Sequence, residues 1–323
     1  MITSNLFQHI LIDPVRLGAE ELHVVTGYAS AAMALNQLDK TKELTGRDVT
    51  VKLVVGMTAK DGISKVNHLG FQRLSTVEFA GQFSCGYLPN LPPVHSKVYA
   101  WLKGGKPFRA FVGSANYSQN AFGGQEEAVV ISDPIKCDTY FRAVLATAVD
   151  CNDARANRLL NLYNPSVSRT LNTTPTPQER QLQARSGIPN ILSLPKVCVS
   201  FLAHDGSLPQ ISGLNWGQRA GREPNQAYIP LPASVYRTNF FPPIAEHFTV
   251  LTDDNQVLHS ARAQQNGKAI HTYRSNSEMG IYFRGRLNVP RGQAVQKADL
   301  TRYGRYDVCF YKIDDETFFM DFS

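Results

Sequence analysis

The chain has 323 residues and a formal net charge of +6, with 43% hydrophobic and 19% charged residues. That is a globular mix, which excludes a disordered chain and leaves room for two ordinary domains. No apolar run reaches the length of a membrane span, and the N-terminus lacks a basic region leading into an apolar core; the expectation is an unexported cytoplasmic protein that does not engage a membrane.

The first half alternates strands and helices. Residues 22–28 read as a buried strand, 31–44 as a helix, 49–56 as a second strand and 63–74 as a helical stretch. Residues 94–101 form a short β-rich run that carries His95 and Lys97, and side chains two apart on a strand share one face. Gly104-Gly105 supplies a turn, and the returning strand 108–112 runs into Gly113-Ser114-Ala115-Asn116, which brings that tetrad close to the His-x-Lys face. An imidazole can attack phosphorus, an ammonium can hold phosphate oxygens, and Ser and Asn can donate to them. Glu126 and Glu127 then lead into the apolar strand 128–131, and 134–148 reads as an amphipathic helix. Strands alternating with helices predict an α/β sandwich for residues 1–163.

His95-x-Lys97 with a downstream Gly113-Ser114-x-Asn116 resembles the signature of the phospholipase D superfamily. The Asp common in that superfamily five residues after the Lys is Leu102 here, which fits its nuclease-like branch better than a lipase. In superfamily nucleases a Glu a short way past the Asn fixes the catalytic His. Glu127, eleven residues beyond Asn116, has the better spacing, and Glu126 stands beside it. A carboxylate on one ring nitrogen would set the tautomer and stabilise the imidazolium.

Residues 164–195 are rich in Pro, Ser, Thr, Asn and Gln and read as an interdomain linker, with one short helix at 178–184. Beyond it, 196–323 has a β texture. Short strands are expected at 197–201, 227–229, 248–251, 257–261, 281–283, 308–313 and 317–321, with no strong helix besides a short one at 233–236. Cys85, Cys137, Cys151, Cys198 and Cys309 are odd in number, widely spaced and without a C-x-x-C pair. Reduced thiols are therefore expected, with neither a zinc site nor a disulfide framework.

Charge concentrates in this second half. Residues 215–305 hold twelve Lys/Arg against six Asp/Glu, whereas the last eighteen residues are net acidic. A basic middle suits a phosphate backbone. Two polar segments stand out as readers. One contains Trp216, Gln218, Arg219 and Arg222; the other contains Arg274, Asn276, Ser277 and Glu278. Arg reads guanine, Asn and Gln read adenine, and Glu accepts from cytosine. Which of these residues touch bases and which touch phosphates stays open. Arg262 and Arg291, outside both segments, are expected to be phosphate contacts or bystanders.

With both halves in view the chain resembles the NgoFVII/NgoAVII-type restriction endonucleases, related in plan to BfiI. The resemblance implies a phospholipase-D-like nuclease domain followed by a pseudobarrel like the plant B-three domain, which clasps DNA between an N-arm and a C-arm. Residues 214–222 with 229–232 look like the N-arm, and 272–280 fall where the C-arm should be. It further implies a homodimer with one metal-independent active site, built from two copies of His95, Lys97, Ser114, Asn116 and Glu127 and needing no cofactor. Double-stranded DNA would be the substrate, within a bacterial restriction–modification system that has a cognate methyltransferase and a separate ATPase/helicase-like subunit. Any ATP dependence would have to come from that subunit, because the chain has no G-x-x-x-x-G-K-[ST] loop. Two other classes share parts of this plan. A general phospholipase-D-like phosphodiesterase should lack a basic reading domain and usually carries two motifs per chain. A non-catalytic DNA-binding subunit need not retain the His95 constellation.

Overall fold

The computed structural model describes residues 1–163, 177–188, 190–244 and 246–323. The chain divides into two compact units at Tyr163/Asn164. Residues 164–176 of the expected linker lie outside the described residues, and its short helix, α4 in chain order, runs Pro177–Ser186.

The first unit is built on a seven-stranded sheet. Its elements are β1 (Glu21–Thr26), α1 (Ala31–Thr45), β2 (Thr50–Val55), α2 (Lys65–Arg73), β3 (Phe83–Tyr87), β4 (Val98–Lys103), β5 (Lys106–Gly113), β6 (Val129–Ser132), α3 (Pro134–Leu145) and β7 (Val149–Asp150). The spatial order is β6-β5-β4-β1-β2-β3-β7. β1, β2 and β3 run parallel, and β4 lies antiparallel to β1. Period-two alternation explains why the central strands are apolar throughout: both faces are covered. Leu22, Val24, Val51 and Leu53 pack with Leu35 of α1 and Phe71 of α2 on one face. Val25, Val54 and Val98 pack with Phe141 and Val144 of α3 on the other. Local signals set the helix starts. Ser30 Oγ accepts from Met33 N at the head of α1, and Asp133 accepts from two amides at the head of α3.

β4 and β5 form the expected hairpin. Gly104 and Gly105 both take positive φ, 58° and 70°, which a two-residue type I′ turn requires. One expectation is corrected here, because the strand begins at Val98 and His95, Ser96 and Lys97 precede it. The reason lies in the neighbour. β1 ends at Thr26, and its last partner on β4 is Val98, paired with Val25. The approach segment is held instead by Val94 N to Gly56 O (3.1 Å) and by Gly113 N to Lys97 O (3.2 Å).

The second unit is built on another seven-stranded sheet. Its strands are β8 (Lys196–Ser200), β9 (Ile229–Pro230), β10 (His247–Thr252), β11 (Val257–Ala263), β12 (Ala269–Thr272), β13 (Asp307–Lys312) and β14 (Thr317–Asp321), in the order β8-β13-β14-β10-β11-β12-β9. The pairs are antiparallel except β10 with β14. Phe241, Phe248, Phe310 and Phe318 lie in the core, where the Phe241 ring is tilted against Phe248 and Phe318 and meets Phe310 edge-to-face.

Two expectations fail in this unit. Residues 281–283 belong to a helix, α5 (Asn276–Leu287), rather than to a strand, and a second helix, α6, follows at Lys297–Tyr303. Ile281-Tyr282-Phe283 has strong β propensity, but Met279, Tyr282, Phe283 and Leu287 recur at helical spacing and are all buried. Cys198 and Cys309 are not reduced thiols. They face each other across β8 and β13 with Cα atoms 4.0 Å apart and are joined in a disulfide. Their sequence separation of 111 left no local spacing signal. The other three cysteines are buried and free. No helix among the described residues is long and apolar enough to cross a membrane.

Candidate active site and nucleic-acid interface

In the first unit β1 and β2 end, β4 begins and β5 ends at the same edge of the sheet. His95, Lys97, Ser114 and Asn116 collect there, the position at which α/β sheets commonly place ligands. Lys97 is buried at 5% exposure. Its Nζ lies 3.0 Å from His95 Nε2 and also donates to the His95 carbonyl at 2.7 Å. With an ammonium donating to it, Nε2 is the ring nitrogen that keeps its lone pair, the form required for attack on phosphorus. Desolvation pushes the Lys97 pKa below the usual lysine range, and the nearby Glu127 carboxylate opposes that shift.

Asn116 is fixed by its carbonyl end. Oδ1 accepts from Tyr28 N (3.2 Å) and Thr26 Oγ1 (3.4 Å), so Nδ2 is the end with hydrogens to offer a substrate. Ser114 Oγ donates to Glu127 and accepts from Ala128 N (3.0 Å). Glu127 thus carries a different partner from the one the resemblance implies: its carboxylate is held by Ser114, at the entry to β6, rather than by His95. Glu126 beside it is exposed.

Three further residues shape the site. Gly27 lets His95 lie against the end of β1, because a Cβ there would stand 2.7 Å from His95 Cδ2. The Tyr28 ring meets His95 edge-on at 5.9 Å, and its hydroxyl donates to Asp61 at 2.6 Å. That bond raises the phenol to about 12. Thr26 and Tyr28 stood in view as the end of the first strand, but only the fold brings Asp61 to them. Elsewhere, among the described residues one trio of possible metal ligands occurs, Cys198, Asp307 and Cys309 in the second unit, and two of its members are bonded to each other.

In the second unit the stretch just after the first polar segment touches the second segment. Ser277 donates to Glu223, and Ala227 N donates to Asn276 O at 3.1 Å. Arg219, Arg222 and Arg274 are exposed. Arg222 stacks on the half-buried Trp216 with its guanidinium carbon 3.9 Å from the ring centroid, and Arg219 Nε donates to Ile211 O at 2.7 Å. These contacts hold the guanidiniums in fixed orientations above the surface. Gln218 and Asn276 are placed differently. Gln218 Nε2 donates to Pro224 O (2.9 Å) and Gly292 O (3.2 Å), and Asn276 Oδ1 bonds the His271 ring. Gln218, Asn276 and Ser277 therefore brace the surface internally, and Glu278 is half-buried on the first turn of α5. Arg291 is exposed. Arg262 is buried, with its guanidinium donating to the carbonyls of Tyr236, Pro242, Asn266 and Gly267.

Comparison with known families matches both units. A family model described as the NgoFVII restriction endonuclease N-terminal PLD domain matches residues 4–158, and one described as the NgoFVII C-terminal B3-like DNA-binding domain matches residues 190–314. Among solved structures the chain is similar to NucT from Helicobacter pylori, at 17% identity over 45% of this chain and 90% of that one, with a TM-score of 0.32. It is also similar to a polyphosphate kinase from Porphyromonas gingivalis, at 16% identity over 57% of this chain and 26% of that one, with a TM-score of 0.31. No curated protein matches at a significant level.

Proposed function

The chain belongs to the NgoFVII restriction endonuclease family, and on that premise we propose that it is a site-specific endodeoxyribonuclease that cleaves DNA through a phosphohistidine on His95. The observation that carries the reading is the Lys97 ammonium seated 3.0 Å from His95 Nε2, beside Asn116, in a chain whose other half is a B3-like DNA-binding domain. A purely lipid-directed or general phosphodiesterase has no use for that second half.

In the proposed reaction His95 Nε2 attacks phosphorus, the N–P bond forms, and the P–O bond to one deoxyribose oxygen breaks. A second His95, from another copy of the chain across a two-fold axis, protonates the departing oxygen. That same imidazole then takes a proton from water. The resulting hydroxide attacks phosphorus, the N–P bond breaks, and His95 is regenerated. Lys97 neutralises charge on the non-bridging oxygens and Asn116 Nδ2 donates to them, while the single Ser114 hydroxyl hydrogen is held by Glu127. Glu127 acts one step removed, orienting Ser114 and sustaining the charge on Lys97. Fixed cations and donors then do what a divalent ion does in other nucleases, so the nuclease step needs no metal. A separate ATPase/helicase-like subunit and a cognate methyltransferase would complete the system.

The test is to replace His95 with Ala and measure binding and cleavage side by side. Cleavage should vanish while sequence-preferring duplex binding persists, because nucleophile and reader lie in different units. Loss of both together would contradict the division of labour.

A further inference from the structure

α5 carries a buried cation that neither the nuclease chemistry nor the exposed arginines explain. Arg284 is 0% exposed. A guanidinium has five N–H donors and no acceptor, and here each of its nitrogens is aimed at backbone carbonyls. Nε donates to Gln293 O (2.8 Å), Nη1 to Asn225 O (3.4 Å) and Gly280 O (3.3 Å), and Nη2 to Leu214 O (3.4 Å) and Pro224 O (3.3 Å). These acceptors come from both ends of the segment that exposes Arg219 and Arg222, from the helix that follows Arg274, and from the loop after that helix. Burying a charge is costly unless it is fully hydrogen-bonded, and a side chain of another shape cannot gather carbonyls from three segments at once.

A second feature points the same way. A Cβ at Gly280 would stand 1.7 Å from Asn225 O and 2.8 Å from Arg284 Nη1, so the arm's backbone lies directly on the helix. Asn215, also buried, ties the start of the arm to the post-helical loop through Val295 N and O, both at 2.8 Å. Asn225 Oδ1 accepts from Gly292 N in the same loop at 2.7 Å.

We propose that Arg284 is a positioning residue for DNA reading: its carbonyl-bound guanidinium locks the two arms into one register, so base discrimination depends on a side chain that touches no DNA. This rests on the reading of the two arms as the DNA-contacting surface. Losing the lock lets the arms shift against each other. Phosphate contacts, which carry no sequence information, tolerate such a shift, whereas bidentate contacts to base edges do not.

The test uses the full chain with His95→Ala to suppress cleavage, and a duplex pool with a randomised centre as the probe. Arg284→Lys removes the fork while keeping the charge. Gly280→Ala keeps Arg284 but wedges the arm off the helix, at a position where alanine itself favours helix. Arg262→Lys is the control, a buried carbonyl clamp whose partners lie outside both arms. Thermal unfolding is measured for all three. The parent should enrich a motif. Arg284→Lys and Gly280→Ala should keep salt-dependent binding to an arbitrary duplex, while their preference for the motif over single-base variants falls about tenfold or more, the worth of one base pair. Arg262→Lys should lose stability but keep the preference. Folded Arg284→Lys and Gly280→Ala proteins with undiminished preference would overturn the proposal, as would an equal loss in Arg262→Lys. If Arg284→Lys fails to fold, Gly280→Ala decides. If the parent enriches no motif, the arms are not readers and the proposal falls with that reading.

Discussion

Lys97 sits where two opposing effects set its charge. Burial pushes its pKa below the ordinary lysine range, and the Glu127 carboxylate pulls it back up. The protonated form is the one that neutralises a phosphate, so cleavage should fall as pH rises through the Lys97 pKa, at lower pH than an exposed lysine would give. Replacing Glu127 with Gln removes the opposing negative charge and lowers that pKa further. The alkaline limb of the pH–rate profile should therefore move to lower pH in Glu127→Gln. A limb that stays put or moves upward would mean that Glu127 does not sustain the Lys97 charge. At this scale the sequence was informative about residue types, because His-x-Lys and Gly-Ser-x-Asn are compact motifs. It was silent on pairing: that Glu127 takes Ser114, and Tyr28 takes Asp61, depends on where β1, β5 and β6 terminate.

The elements were legible where one period dominated. α1 and the β4–β5 hairpin carry apolar spacing, a capping Ser30 and a Gly-Gly turn that agree with one another. α5 was not, because Gly280 and Gly285 weaken the helix signal while Ile281-Tyr282-Phe283 strengthens the strand signal. Burial of Met279, Tyr282, Phe283 and Leu287 decided it. The two proposed arms are polar and basic in the sequence, but only the fold separates side chains that brace from side chains that project. Among the projecting ones, Arg222 is stacked on Trp216 and Arg219 is tethered to Ile211 O, and Arg274 leads into α5. An arginine bidentate to guanine should cost about 1–3 kcal/mol on change to Ala and relax preference at one base pair. A phosphate contact should weaken all sequences evenly and lower the log–log salt slope by about one. At least one arginine from each arm should show the first pattern when Ala variants are measured on the preferred duplex and its single-base variants. Even losses from all three would place the reading surface elsewhere in the unit.

For the whole molecule, the proposed work divides between two units, with the His95 constellation in Met1–Tyr163 and the projecting arginines Arg219, Arg222 and Arg274 in the unit after it. That division was readable from the Pro- and Thr-rich seam and from the change to a basic β texture. The Cys198–Cys309 bond was not, because strand register rather than sequence distance brings the two sulfurs together. The central claim is that a histidine and a lysine, without a divalent ion, break the phosphodiester. The most direct measurement is cleavage of a supercoiled plasmid by this chain in excess EDTA, at high protein concentration, with wild type beside His95→Ala. The account predicts nicked and linear product from wild type and none from His95→Ala. Cleavage by wild type only when Mg²⁺ is supplied, or equal cleavage by His95→Ala, would contradict it.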